Sequence, residues 1–343
     1  MPSRLLGLLL WLAALPALAH SYQNCGRTWT VDGPPQRIVA LNQHSADLLL
    51  ALGAGPSMIG VAYLDDDGQA QAEGLYHGVP VIARQYPSAE VLYSLKPDLV
   101  VGGFASAFPE NFSSRQRLGA IGVGSYLLES ACAGHDQDYF GHIRRDLLTL
   151  GRLLRQEARA QQLVGQMDAD LEAAAALYRG RPTPSVFYLD SEVNGLASQG
   201  QRGFVGVLLQ AAGARNSFAA IDRPRLTVDS ETLLANDPDA MLLADALWSP
   251  ARRKRQLLHS DPVLSRLRAV REDRLIDIPF ARLVPGIASG RTALELARRL
   301  HPTHDCPPRR SRLAGEGNTP DLAAYPQTPS RASPLLQPPA SPP

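Results

Sequence analysis

Lysine is almost absent from this 343-residue chain: of its 34 basic residues only Lys96 and Lys254 are lysines. Against 33 acidic residues the basic set leaves a net charge of +1, which excludes the basic stripe or tail of a nucleic-acid-binding protein. The arginine-for-lysine skew is one of composition and carries no functional reading. After residue 19 no apolar run approaches the ~20 residues that cross a bilayer. Catalytic signatures are missing too. Gly53-Ala54-Gly55 is followed by Pro56-Ser57-Met58, which breaks the G-x-G-x-x-G dinucleotide pattern. There is no G-x-x-x-x-G-K-[ST], no H-E-x-x-H and no G-x-S-x-G. The eight histidines are scattered rather than gathered with carboxylates, so neither a metal site nor a cofactor is expected.

What is present divides the chain. Residues 1–19 carry Arg4, an apolar run from Leu5 to Leu15 and the small-x-small triplet Ala17-Leu18-Ala19. That is the pattern of a cleavable signal peptide, leaving His20 as the new N-terminus and placing the chain outside the cytoplasm. The polar residues before Cys25 do not make a lipid-attachment box. At the other end, residues 302–343 contain eleven prolines and few large apolar groups, so this tail is expected to be disordered. An oxidising compartment favours disulfides. With Cys306 in the tail, Cys25 and Cys132 are the pair expected to join.

The 45% hydrophobic content and the length between these ends suit two domains. Short β-branched runs alternate with helical stretches: Arg37–Leu41 and Met58–Ala62 read as strands, Ala46–Gly55 as a helix ending on glycine, and Leu99–Val101 as a further strand. Such alternation predicts parallel α/β sheets. Residues 139–179 hold no proline and keep helical periodicity, predicting a helix some 60 Å long unless Gly151 breaks it. The second half then repeats the first. Gly206–Ala214 echoes Leu48–Ala54. Glu90 is followed seven residues later by Pro97-Asp98 and a strand, and Glu231 seven residues later by Pro238-Asp239 and a strand. Two α/β lobes of one plan, 20–138 and 181–301, joined through 139–180, are the predicted architecture.

The segments PPQRIVALNQHSADLLLALGAGPSMIGVAY, SAEVLYSLKPDLVVGG and VDSETLLANDPDAMLLA resemble the class III periplasmic substrate-binding proteins of ABC importers for ferric siderophores, cobalamin and haem. The likeness runs from about Arg37 to His301. It implies two Rossmann-like lobes with parallel sheets joined by one long backbone helix. It further implies a periplasmic monomer that holds a metal chelate in the interlobe cleft and delivers it to an inner-membrane ABC permease. Glu90 and Glu231 match the family's permease-docking glutamates. The bland alternative for both is an ordinary acid in the first turn of a helix.

Four loops are expected to face the cleft. The first, Asn42-Gln43-His44, offers amides and a lone imidazole, which more often caps or solvates than ligates. The second carries Tyr63 and Asp65-Asp66-Asp67, read as a solvated turn because the residues lack Ca²⁺-loop spacing. The third is Arg84-Gln85-Tyr86, with an arginine fork for a carboxylate and a ring to stack. Phe104 and, from the second lobe, Trp248, Phe280 and Arg282 complete the candidate ligand set; for Trp248 the alternative is core packing. Arg252-Arg253-Lys254-Arg255 reads as a solvated helix face. The expected cargo is ferric siderophore first, cobalamin next and haem third. The alternatives are an exported sensor of the same fold and a secreted α/β enzyme.

Overall fold

The computed structural model describes residues 19–110 and 113–302. The expected signal segment up to residue 18, Cys306 and the Pro-rich tail from residue 303 lie outside the described residues.

In the first lobe Ile38–Leu41 is a wholly buried strand that pairs in parallel with Met58–Ala62 on one side and Leu99–Gly102 on the other. Val79–Ala83 and Gly124–Leu127 extend this parallel order outward, and Leu75–Tyr76 closes one edge antiparallel. The second lobe repeats the scheme with Ser185–Leu189 at its centre, flanked by Arg215–Asn216 and Ala240–Asp245, and Leu275–Pro279 beyond. Strands so uniformly apolar are stable only where helices cover both sheet faces.

The repeated Pro-Asp step has a structural cause. Proline ends the helix before it, and the aspartate then ties its strand to the neighbouring one. Asp98 accepts the backbone N–H groups of Gln36 (2.7 Å) and Arg37 (2.9 Å) at the entry to Ile38–Leu41. Asp239 accepts the N–H of Ser185 (2.8 Å) at the entry to Ser185–Leu189. The helix echo holds as well: Gln43–Ala51 and Phe204–Ala211 both run out into a left-handed glycine, Gly53 (φ 83°) and Gly213 (φ 76°).

The stretch expected as a single helix of some forty residues is two helices, Tyr139–Leu153 and Glu157–Tyr178. The break falls not at Gly151 but at Arg155, which takes a left-handed conformation (φ 55°). Gly151 lies within the first helix and serves close packing there: a Cβ added to it would lie 2.5 Å from the Ala160 methyl. The 22-residue helix, about 33 Å long, is the one that joins the lobes. Arg159 near its start bonds the carbonyl of Ala51, and Ala174 near its end belongs to the second lobe's core.

A hairpin, Ala19–Asn24 against Arg27–Asp32, precedes the first lobe. Cys25 at its turn is bonded to Cys132. Tyr22 donates to the carbonyl of Ser125 (2.6 Å), and the Asn24 amide exchanges hydrogen bonds with Leu127. Among the described residues no helix is long and apolar enough to cross a membrane.

Candidate functional site

Parallel sheets deliver their loops at the carboxyl ends of the strands, where open α/β sheets form their binding crevices. Here the two sheets present those ends to each other. Asp66 of the first lobe accepts the N–H of Ala281 in the second (2.8 Å), and Leu247 of the second donates to the carbonyl of Asp65 (2.9 Å). Around this bridge gather the loops after Ile38–Leu41, Met58–Ala62, Val79–Ala83 and Leu99–Gly102, and after Ala240–Asp245 and Leu275–Pro279.

The aromatic candidates pair up within each lobe. Tyr63 meets Tyr86 edge-on with ring centres 4.8 Å apart, and Trp248 meets Phe280 likewise at 5.5 Å. Phe104 lies 4.7 Å from the His44 ring. Trp248 is 44% exposed, so the core-packing alternative for it does not hold.

Asn42, Gln43 and His44 are buried, and Gln43 and His44 form the first turn of a helix rather than a loop. Their work is to shape the floor. Asn42 sits in a backbone region that glycine favours (φ 91°, ψ 142°). Its side-chain oxygen accepts from Gly103 N (3.2 Å) and Phe104 N (3.3 Å), and its amide donates to the Tyr86 hydroxyl (3.1 Å). Tyr86 is thereby fixed from behind, with Ser106 on its other side at 2.9 Å. Gln43 accepts the N–H of Asp65 and donates to Asp66 (2.6 Å). His44 is enclosed against Gly103 and Gly286. Burial pushes its pKa down to about 4, so the ring is neutral at ordinary pH.

Several charged candidates behave otherwise than their sequence context suggests. The Asp65–Asp67 triplet is not a solvated turn: Asp65 is buried, Asp66 bridges the lobes, and Asp67 caps the helix Gly68–Glu73 through Ala70 N (2.8 Å). Burial raises Asp65 to about 7, with Asp66 adding to the rise. The Arg252–Arg255 run is not a uniformly solvated face either. Lys254 is fully buried and donates to the carbonyls of Ala244 (2.7 Å) and Ser249 (2.5 Å), while Arg253 pairs with Glu192 and Arg255 with Asp277. Arg282 is engaged by Glu295 (2.6 Å) and Thr292 and so is not a free fork for a ligand. Arg84 is exposed on the rim. Among the described residues no three His, Cys, Asp or Glu side chains come together to hold a metal ion.

Glu90 and Glu231 are exposed, each in the first turn of a helix. Ser88 caps the first helix at Val91 N and Asp229 caps the second at Thr232 N. The two acids occupy equivalent places on the two lobes.

Comparison with known proteins agrees with this architecture. The family model described as periplasmic binding protein matches residues 38–281. The vitamin B12-binding protein of Vibrio campbellii is 22% identical over 231 residues, covering 64% of this chain and 76% of the relative. The ferric-anguibactin-binding protein of Vibrio anguillarum is 25% identical over 228 residues, covering 65% and 67%. Among solved structures, a periplasmic binding protein from Veillonella parvula matches with a TM-score of 0.69 at 22% identity, over 83% of this chain and 98% of that one.

Proposed function

From the premise that this chain belongs to the periplasmic binding protein family, whose members here are binding proteins of transporters and not enzymes, we propose its cargo and its route. The protein captures a metal chelate of the ferric-siderophore or cobalamin type in the interlobe cleft. It then hands that chelate to an inner-membrane permease. The relatives named for vitamin B12 and ferric anguibactin support this class of cargo.

The observation that carries the reading is the pair of aromatic couples, Tyr63–Tyr86 and Trp248–Phe280, set on facing carboxyl ends of two parallel sheets. Covering a tryptophan that is 44% exposed beside a phenylalanine with an apolar ligand face would gain free energy in proportion to the area buried. A chelate that shields its own metal needs stacking surfaces and a few polar contacts, and asks no metal ligand of the protein. His44 is buried and the Tyr86 hydroxyl is occupied by Asn42 and Ser106, which leaves Tyr63 as the one of these three to offer an axial ligand, so haem ranks behind the other two.

Delivery rests on Glu90 and Glu231. Each is an exposed carboxylate at the positive end of a short helix, one per lobe, suited to arginines on a partner and to setting register as much as affinity. The helix joining the lobes limits the change on loading to a small rotation.

Titrating the mature chain with ferric hydroxamate and catecholate complexes, cobalamin and haemin tests the capture. Saturable quenching by one class, lost in Trp248→Phe, is expected. A folded protein that binds none of them refutes the carrier reading. Glu90→Arg with Glu231→Arg is expected to abolish uptake and leave binding intact; uptake that survives refutes the docking assignment.

A further inference from the structure

The cleft floor holds an acid with an unused oxygen. Asp65 is 4% exposed, its N–H is taken by Gln43 and its carbonyl by Leu247, yet no hydrogen-bond partner reaches its Oδ2. A carboxyl oxygen buried without a partner is costly, and a native site that keeps one has a use for it. Its surroundings point to the use. Tyr63, two residues earlier on the same loop, leans on Tyr86, whose phenol is held above its ordinary range mainly by burial, with Tyr63 and Asp65 adding to the rise.

The charges around it are predominantly acidic. From the first lobe come Asp66, bonded to Gln43 and Ala281; Asp67, which caps its helix; and Asp47, held by the Tyr76 hydroxyl. From the second lobe Asp245 acts on Asp66 across the interface. The cations nearby are mostly spoken for: Arg282 by Glu295, Arg253 by Glu192, and Lys254 by two carbonyls. Arg84 stands exposed at the rim, and His44 is neutral.

Resting on the reading that the cleft holds a metal chelate, we propose that Asp65 selects the cargo by charge and by donor. Its partnerless oxygen, enclosed with the lobes as they stand here, accepts a hydrogen bond from an amide, hydroxyl or ammonium group on the chelate's periphery once loading turns the lobes, and the acidic floor excludes polyanionic complexes. A ferric tris-hydroxamate has a neutral core, because three singly charged ligands cancel the iron. Cobalamin presents a fringe of primary amides. Both fit. A ferric tris-catecholate, with three negative charges in excess, does not, and haemin with its two carboxylates fits poorly.

The test titrates the mature protein with ferrioxamine B, cyanocobalamin, a ferric tris-catecholate and haemin at pH 6 and pH 8. A member of the first pair is expected to bind at least about tenfold more tightly than either anionic probe. That preference is expected to widen from pH 6 to pH 8, because Asp65 ionises near pH 7. Asp47, also raised to about 7, contributes to the same trend, so in Asp65→Asn the widening is expected to shrink by half or more rather than vanish. A tris-catecholate or haemin bound as tightly as cationic ferrioxamine B and neutral cyanocobalamin overturns the selection while leaving the carrier reading standing. Binding of none of the four overturns both. A preference and pH trend unchanged in a folded Asp65→Asn overturns the role of Asp65, and the wild-type ratios decide the charge selection should that variant not fold.

Discussion

Asp47 allows a quantitative check on how these acids are buried. It lies on the helix Gln43–Ala51, and its carboxylate accepts the Tyr76 hydroxyl. Burial raises its pKa from 3.8 to about 7, the Tyr76 bond opposes the rise, and Asp66 and Asp67 add to it. Between those two values the folded chain binds a proton that the unfolded chain has lost. Stability contributed by this group therefore falls as pH rises from about 4 to 7 and is flat above that. A shift of about three units corresponds to roughly 4 kcal/mol at most, and coupling to the neighbouring Asp66 brings the expected figure to ~2–4 kcal/mol. Asp47→Asn keeps an acceptor for Tyr76 and cannot ionise. In urea unfolding the variant should match wild type near pH 4 and exceed it by ~2–4 kcal/mol at pH 8. A gap no larger at pH 8 than at pH 4 refutes the claim that this acid is held neutral by burial.

The disulfide closes a separation of 107 residues, for which chain entropy alone gives about 5 kcal/mol. Because Tyr22 and Asn24 still hold the hairpin, Cys25→Ser with Cys132→Ser should cost less, ~2–4 kcal/mol, and an unfolding free energy unchanged within ~0.5 kcal/mol would count against any stabilising role. Lys254→Arg, in a chain otherwise rich in arginine, should destabilise by ~1–3 kcal/mol, since a planar fork must enter a fully enclosed slot shaped for an ammonium on two carbonyls. An unchanged thermal midpoint would show that the slot yields.

The repeat was readable because it is local. Pro97-Asp98 and Pro238-Asp239 put a helix stop directly before a strand, and both the stop and its spacing from the preceding glutamate are written in consecutive residues, although the strand entry that each aspartate latches lies more than fifty residues earlier. The helix break was not readable, because nothing in Leu154-Arg155-Gln156 marks it. Arginine takes the left-handed conformation there while the nearby glycine serves close packing instead. The Arg252–Arg255 run misled for a geometric reason: successive residues on a helix point about 100° apart, so four adjacent cations cannot share one face, and Lys254 turns inward.

The acid triplet misled for the opposite reason, that its partners are remote. Three adjacent aspartates read as a solvated turn because no neighbour in sequence can neutralise or enclose them. What encloses them is Gln43, some twenty residues before, and Leu247 and Ala281, well over a hundred residues after. The aromatic candidates could be found by their position just beyond strand ends, since that position follows from the sheet order alone. The polar floor beneath them arises only when both lobes are in place. A site of this design therefore advertises its walls in sequence and withholds its charge, and under the role proposed for Asp65 it is the charge that would distinguish one chelate from another.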